Sequence, residues 1–233
     1  LFAYDLIGFG EVPRKMLNEE EFEWIRDFVG TRGGGLFFVD GRREVYREYG
    51  WGPIASLFPV ERMANAVKGP PSSLMLTDQG SSFGPLRLTA DTADNVKVWQ
   101  ELPTPHWVAS VKAFPGTETL AEAIVGKQKM PAIVLRQYGA GKVLYIGMDE
   151  TWRWRYGVSD QYQEPFWHQM ANAIMEPPYA VRDKFIAMDA GSVNYRAGES
   201  ADIRVRLRDD KGRAITHGSI SAMLYCDGQK VST

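Results

Sequence analysis

The chain has 233 residues, of which 44% are hydrophobic, enough for one large domain or for a medium-sized domain with a smaller one. Its 27 basic and 29 acidic residues are well mixed and give a formal net charge of -2, so the sequence shows no basic patch for nucleic acid. No apolar run approaches the roughly 18 to 20 residues of a membrane span. We therefore expect neither nucleic acid nor direct membrane contact as a partner of this segment.

The first 40 residues predict a strand, a helix and a second strand, which together make the unit of a parallel sheet. Tyr4 to Phe9 is a short apolar run, and Asn18 followed by three glutamates predicts a helix N-cap with acids in the first turn. Apolar residues recur at near-helical spacing as far as Val29. Three glycines, Gly33 to Gly35, end the helix, and Leu36 to Val39 is a continuously apolar run typical of a buried strand.

The middle of the chain is rich in Gly, Pro, Ser, Thr and Asp between residues 64 and 95. For this stretch we expect long surface connections, with a short strand at Leu86 to Thr89. The later elements that we predict are strands at Val108 to Ala113, Ala132 to Tyr138 and Lys142 to Gly147, and a helix from about Glu164 to Met175.

The pattern changes after Glu176 to Pro178, which breaks the last helix. Apolar residues alternate with arginines through 203–207, which predicts a half-buried antiparallel strand, and Ser219 to Tyr225 is its expected partner. We therefore predict two domains, residues 1–180 and residues 181–233. About 50 residues supply only part of a β-sandwich, which needs about seven strands and ~100 residues.

Three segments carry a family resemblance. The first is residues 4–41, which begins with YDLIGFG and ends with GGGLFFVDG. The second is PAIVLRQYGAGKVLYIGMDETWRWRYG at residues 131–157, and the third is FWHQMANAI at residues 166–174. Over roughly residues 4–176 the chain resembles a non-catalytic class I glutamine amidotransferase-like domain of large bacterial membrane-anchored proteins. The stretch Tyr195 to Glu199 resembles the start of immunoglobulin-like repeats. We also expect the chain to be a piece of a longer protein.

The resemblance implies a flavodoxin-like α/β fold, with a mostly parallel sheet flanked by helices and a partial C-terminal β-sandwich module. It also implies a periplasmic or other extracytoplasmic location in a membrane-anchored parent. The family's enzymes use a cysteine at a turn that corresponds to Val39 to Arg42, where this chain has none; its one cysteine is Cys226. The family's late histidine and glutamate correspond to Met148 to Glu150, where acids but no histidine occur.

Seven residues are candidate ligand-binding residues, because open α/β folds bind ligands at the carboxyl ends of their strands. Carboxylates at that edge can bind a cation or act in acid–base catalysis, but salt bridges to nearby arginines explain the same residues without chemistry. A sugar-stacking tryptophan is conceivable, although a core position is favoured. The candidates are Asp40, Gly41, Arg42, His106, Asp149, Glu150 and Trp152. Because no histidine pair has metal-ligand spacing, we predict no metal and no cofactor.

Two functions from different classes remain open, together with a purely structural spacer that would have no pocket. The first is a non-catalytic binding or architectural domain of a bacterial cell-envelope protein, whose partner is another protein or a neighbouring domain of the same chain. The alternative is a hydrolase or carbohydrate-binding enzyme that uses Asp40, Asp149 and Glu150. That alternative requires the three carboxylates to converge in an open pocket.

Overall fold

The computed structural model describes residues 4–156, 158–175, 181–182, 185–189, 200, 203–210, 215, 217–226 and 229–232. The chain divides into two compact units, Leu1–Pro177 and Pro178–Thr233. The break at Glu176 to Pro178 and the Tyr195 to Glu199 motif lie outside the described residues.

The first unit begins with the predicted strand, helix and strand: β1 (Leu6–Gly10), α1 (Glu19–Gly30) and β2 (Gly35–Val39). The side chain of Asn18 accepts a hydrogen bond from the backbone N–H of Glu21, and the Glu21 carboxylate accepts one from the Asn18 N–H. This capping box satisfies two backbone groups that would otherwise be unpaired at the helix start. Since β1 and β2 pair in parallel, the βαβ prediction is confirmed.

The rest of the first unit alternates between strands and helices and contains more elements than the sequence pattern indicated. In chain order these elements are β3 (Val60–Arg62), β4 (Ser73–Leu76), α2 (Asp78–Ser82), α3 (Thr92–Glu101), β5 (Val111–Ala113), β6 (Glu118–Val125), β7 (Gln128–Tyr138), β8 (Gly141–Ile146) and α4 (Gln163–Ile174). The strand expected at Leu86 to Thr89 is wrong, because a 3-10 turn, Gly84–Leu86, occupies the start of that stretch.

The main sheet has six strands in the order β1-β2-β8-β7-β6-β4. Only β1, β2 and β8 run parallel, whereas β8, β7, β6 and β4 pair antiparallel. An α/β sheet flanked by helices is confirmed, but the mostly parallel, flavodoxin-like arrangement is not. The physical reason is that two residues join β6 to β7 and two join β7 to β8, and connections this short can link only antiparallel strands.

The sheet separates two buried clusters of side chains. Along β8, Val143 and Tyr145 belong to one cluster and Leu144 and Ile146 to the other, so the clusters lie on opposite faces of the sheet. The first cluster also contains the apolar side of α1 and the 3-10 turns Val45–Tyr49 and Pro53–Leu57. The second contains residues of α3 and α4.

The described residues of the second unit form two small sheets. Strands β9 (Val181–Arg182), β10 (Ile186–Asp189) and β11 (Arg204–Leu207) form an antiparallel sheet, and β12 (Leu224–Cys226) pairs with β13 (Gln229–Ser232). The alternating segment is a strand as predicted, but its partner is β10 rather than Ser219 to Tyr225. A partial β-sandwich is therefore not supported. No helix in the described part of the chain combines the length and apolar character that crossing a membrane requires.

Candidate functional site

The carboxyl ends of β2 and β8, which pair in parallel, lie at the same edge of the main sheet. After β2 the chain continues into Val45–Tyr49, on the α1 face, and after β8 it continues into the 3-10 turn Thr151–Arg155 and α4, on the opposite face. Neighbouring strands whose connections leave to opposite faces form the switch point at which open α/β sheets bind ligands. The predicted residues after Val39 and after Met148 lie at this edge.

Asp40, the first residue after β2, is fully buried. Its Oδ2 accepts hydrogen bonds from the Arg62 guanidinium and from the Tyr145 hydroxyl, the latter at 2.5 Å. Its Oδ1 is buried and forms no hydrogen bond of normal geometry with the described residues. Burial raises the pKa of the Asp40 carboxyl above its usual value, while the Arg62 charge, the hydrogen bonds from Tyr145 and Arg62, and a weaker interaction with the Gly41 backbone N–H oppose that change.

Asp40 lines a pocket of about 230 Å³ on the α1 side of this edge. Arg47, Glu61 and Arg62 contribute charged groups to its lining. Most of the wall is aromatic, and we call these five side chains the aromatic wall: Tyr46, Tyr49, Phe58, Phe114 and Tyr145. Asp149 and Glu150 are not among the residues that line it.

Tyr46 and Tyr49 are three residues apart in one 3-10 turn, so they lie on the same side of that turn. The Tyr46 hydroxyl donates to the Phe9 carbonyl at 2.6 Å, and the Tyr49 hydroxyl donates to the Val12 carbonyl at 2.7 Å. Burial raises the pKa of Tyr49 to about 12 and that of Tyr46 further. Both hydroxyls therefore stay protonated, and they connect the turn to β1 and to the segment that follows it.

Arg62 reaches Asp40 from β3, which forms a two-stranded sheet with β5. Its Nη1 lies 3.6 Å from Oε1 of Glu44, whose Oε2 lies 2.7 Å from Nε of Arg47. Both pocket guanidiniums therefore face carboxylates. Sequence analysis missed Arg62, because the pairing of two short, distant strands places it there and no local pattern marks it.

Glu150 is the centre of a second group of charges, which we call the Glu150 cluster. Its carboxylate accepts a hydrogen bond from the backbone N–H of His106, and His106 Nδ1 lies 3.3 Å from Oε1. Arg42 Nη2 lies 3.6 Å from Oε1, and Arg153 Nη1 lies 3.8 Å from Oε2. The structure thus brings together three predicted residues, Arg42, His106 and Glu150, on a carboxylate that is already paired.

Gly41 lies between two further carboxylates. A Cβ on Gly41 would lie 2.7 Å from Oδ2 of Asp149 and 2.7 Å from Oε2 of Glu11. Glu11 follows β1 and is bound by Arg43, with 3.0 Å between Nε and Oε2. Partial desolvation and the charges of Glu11 and Glu150 raise the pKa of Asp149. Within the described ranges, no three His, Cys, Asp or Glu side chains are arranged to hold a metal ion.

Trp152 is 50% exposed and packs edge to face against Tyr156, with 5.6 Å between ring centroids. The favoured core position is therefore wrong for Trp152, although Trp154 is buried. Both residues lie in the 3-10 turn Thr151–Arg155, where residues two apart point in different directions, unlike residues two apart in a strand. Trp152 does not line the pocket beside Asp40.

Comparison with known proteins adds information about the fold. No protein-family model and no curated protein matches the chain. Cytoplasmic protein STM3548 of Salmonella typhimurium is similar in structure, with a TM-score of 0.54, 15% identity and coverage of 75% of this chain and 73% of that chain. Cytoplasmic protein STM1381 of Salmonella typhimurium LT2 is also similar in structure, with a TM-score of 0.53, 19% identity and coverage of 76% of this chain and 74% of that chain. At these identities the similarity concerns the fold alone.

These neighbours overturn two predictions that rested on the family resemblance. Both are described as cytoplasmic proteins rather than as amidotransferase-like or membrane-anchored proteins with immunoglobulin-like repeats, so that resemblance is wrong. The predicted periplasmic location in a membrane-anchored parent is wrong for the same reason. The segments behind the resemblance are strand, helix, glycine and strand patterns that any βαβ unit or hairpin requires, so they do not identify a family.

Proposed function

We propose that residues 1–177 form a non-catalytic domain that binds a small molecule in the pocket beside Asp40. One observation carries this proposal: a fully buried carboxylate keeps one oxygen unpaired within the described structure, and it lines an aromatic-walled pocket at the switch point of the sheet. Buried polar atoms in folded proteins nearly always have partners. A polar group of a ligand is a suitable partner for that oxygen.

The lining of the pocket also supports this proposal, and the size of the pocket limits the ligand to a small one. Small-molecule sites are mostly apolar and contain a few polar groups that set the orientation of the ligand. The pocket volume of about 230 Å³ is below the roughly 300–1,000 Å³ of most small-molecule sites. Because a water molecule occupies roughly 30 Å³ in the liquid, this space corresponds to roughly seven or eight waters. A ligand with a similar number of non-hydrogen atoms would fill it.

The hydrogen bonds of the carboxylates favour binding over catalysis. Asp40 is held by Arg62 and Tyr145, and Glu150 already accepts a hydrogen bond from His106 and faces two arginines. A general acid, base or nucleophile must instead be free to meet a substrate. The hydrolase or carbohydrate-binding alternative, and a protein or neighbouring-domain partner, stay predictions.

A variant that covers the pocket tests the proposal. Gly50 lines the pocket, has φ -70, and a Cβ there would meet nothing within 4 Å. In Gly50→Phe the new ring should therefore block the pocket without straining the backbone. We expect small aromatic fragments, screened by ligand-observed NMR, to bind the natural chain and to lose that binding in Gly50→Phe.

Gly84→Phe is the matched control, because a Cβ on Gly84 also meets nothing within 4 Å and Gly84 does not line the pocket. Fragments that bind the natural chain should bind this control equally well. Equal binding to Gly50→Phe, or no fragment binding at millimolar concentration, would contradict the proposed function.

A further inference from the structure

We infer that the ligand of this pocket is a small organic cation, an amine that is protonated at neutral pH; this inference rests on the proposed function. Three features of the lining lead to it: the spare hydrogen-bonding capacity, the chemistry of the aromatic wall and the balance of charge. Each excludes or disfavours a different class of ligand.

The lining has one spare acceptor and one spare donor, and both are buried. Oδ1 of Asp40 can accept a hydrogen bond and Nη1 of Arg62 can donate one, but both guanidiniums of the lining lie beside carboxylates. Arg62 faces Asp40 and Glu44, and Arg47 faces Glu44. An anionic ligand would have to displace these ion pairs and would also lie beside the Asp40 charge. A cationic ligand is not repelled by Asp40, and the one ion pair that it displaces is the pair between Arg62 and Asp40.

The aromatic wall offers ring surfaces rather than hydroxyl donors. Its three tyrosine hydroxyls donate elsewhere: Tyr46 to Phe9, Tyr49 to Val12 and Tyr145 to Asp40. Ring faces of Phe and Tyr carry negative partial charge and attract ammonium groups within about 6 Å of the ring centre. Phe58 is fixed in this wall because it stacks on Phe38 of β2, with 4.1 Å between ring centroids.

The charges around the pocket favour a cation. Within the lining, Asp40 and Glu61 balance Arg47 and Arg62, and the surplus of one negative charge comes from Glu44, which lies outside the lining and faces both guanidiniums. Lys112 faces Glu61 only at 3.9 Å, and its side chain is 75% exposed, so it is a weak counterion. A bound ammonium would offset this charge, and because Asp40 is fully buried its attraction to the ammonium is stronger than it would be in water.

Access to Asp40 requires a small movement. Its Oδ1 has no solvent-exposed surface, so an ammonium reaches it only when a neighbouring side chain changes rotamer. Arg62, whose side chain is 20% exposed, can move in this way and remain paired with Glu44. The ammonium would then share the Asp40 carboxylate with Tyr145.

Three probes of nearly equal shape distinguish the effect of ligand charge from the effect of ligand shape: benzylamine, benzyl alcohol and benzoate. At about pH 7.5 the alkylamine is protonated and benzoate is ionised. Measured by NMR titration of the natural chain, benzylamine should bind about tenfold more tightly than benzyl alcohol, which corresponds to about 1.4 kcal/mol. Benzoate should bind more weakly than both.

Asp40→Asn keeps the shape of the side chain but removes its charge. We expect it to reduce benzylamine affinity about tenfold while benzyl alcohol affinity changes by less than about twofold. Phe114→Ala removes one side of the aromatic wall at a position that is 36% exposed, so folding should persist and benzylamine affinity should fall. Trp24→Ala, an exposed aromatic on α1 outside the lining, is the control and should leave all three affinities unchanged.

The outcomes distinguish the inference from the proposed function. If none of the three probes binds, the proposed function itself fails. If benzyl alcohol or benzoate binds as tightly as benzylamine, and this binding is lost in Gly50→Phe, the pocket binds ligands but the inference of a cation is overturned. Benzylamine binding that survives Asp40→Asn, Phe114→Ala and Gly50→Phe lies elsewhere and also overturns it.

Discussion

The pocket beside Asp40 and the Glu150 cluster lie at the same sheet edge and contain the same kinds of residues, yet their carboxylates differ in availability. Two donors converge on one oxygen of Asp40, and the other oxygen stays unpaired within the described structure. In Glu150, both oxygens face donors: the His106 backbone N–H and Arg153 at one oxygen, and Arg42 at the other, which also lies 3.3 Å from His106 Nδ1. The distribution of donors, rather than the presence of a carboxylate, therefore decides where a ligand can bind.

The largest difference between the two regions should appear when each carboxylate is removed. Asp40→Ala leaves the Tyr145 hydroxyl buried and without its acceptor and deprives Arg62 of one partner, so we expect it to lower the free energy of unfolding by about 3 kcal/mol. Glu150→Ala should cost only about 1 kcal/mol, because the His106 and Arg42 side chains are 59% and 58% exposed and water can replace the lost contacts.

Urea unfolding of the two variants and the natural chain checks this prediction. A loss for Glu150→Ala that equals or exceeds the loss for Asp40→Ala would show that the two carboxylates are energetically alike. That result would contradict the difference that we infer between the Asp40 pocket and the Glu150 cluster.

A smaller effect is expected from Tyr145→Phe, which removes one donor to Asp40 but keeps the ring in the aromatic wall. Since the Tyr145 hydroxyl is buried and donates to a carboxylate, we expect a loss of about 2 kcal/mol in the free energy of unfolding. Tyr138→Phe is the matched control: its hydroxyl pairs with Ser56 at 3.0 Å in an exposed position, so the loss should stay below about 0.5 kcal/mol. Thermal and urea unfolding measure both, and equal losses would contradict the prediction.

The pH dependence of stability sharpens the comparison for Asp40. Burial raises its folded-state pKa above the 3.8 that we take for the unfolded chain, and Arg62 only partly offsets this. Between those two pKa values the folded state binds more protons than the unfolded state, so the free energy of unfolding falls as pH rises through this window. Asp40→Asn cannot titrate. Its stability relative to the natural chain should therefore improve as pH rises above 3.8 and become constant above the folded pKa.

Urea unfolding at steps between about pH 3.5 and about pH 7 measures this difference. Comparison with Asp40→Asn removes the contribution of Asp149, whose pKa is also raised and which titrates in both proteins. A difference that grows in the opposite direction, or that does not depend on pH, would be inconsistent with a raised Asp40 pKa.

The smallest effect is expected in the Glu150 cluster. Arg42→Gln removes a charge whose side chain is 58% exposed and which lies 3.6 Å from Glu150, so the free energy of unfolding should change by less than about 0.5 kcal/mol. Binding of small aromatic fragments to the pocket should not change. A larger loss, or altered fragment binding, would mean that the cluster and the pocket act together.

Local sequence patterns correctly predicted the helix and strands that form through interactions between residues close together in the sequence. The N-cap at Asn18 and the apolar face of α1 are set by residues three or four positions apart, and the apolar run of β2 follows from burial on both sides. The short strand β4 and helix α3 were missed, because turn-forming residues surround them and their apolar positions matter only against the sheet. Tertiary packing outweighs weak propensity at such places.

The candidate site was predicted in part. The sequence indicated Asp40, Arg42, Asp149 and Glu150 because each follows a predicted strand, and their common sheet edge is a consequence of parallel pairing between β2 and β8. It did not indicate Glu11, which follows β1 and whose carboxylate lies beside Gly41. The aromatic wall was visible only as scattered rings, because Tyr46, Phe58 and Phe114 come from separate segments.

The sequence by itself determined the α/β class of the first unit, its leading βαβ unit and the edge at which charged residues gather, because these depend on periodicity and on short-range hydrogen bonds. Tertiary structure alone decided the antiparallel half of the sheet, the arrival of Arg62 at Asp40 and the division between a pocket and a paired cluster. Those features depend on which distant strands pair and on which donors then reach each carboxylate. No local pattern of residues encodes that outcome.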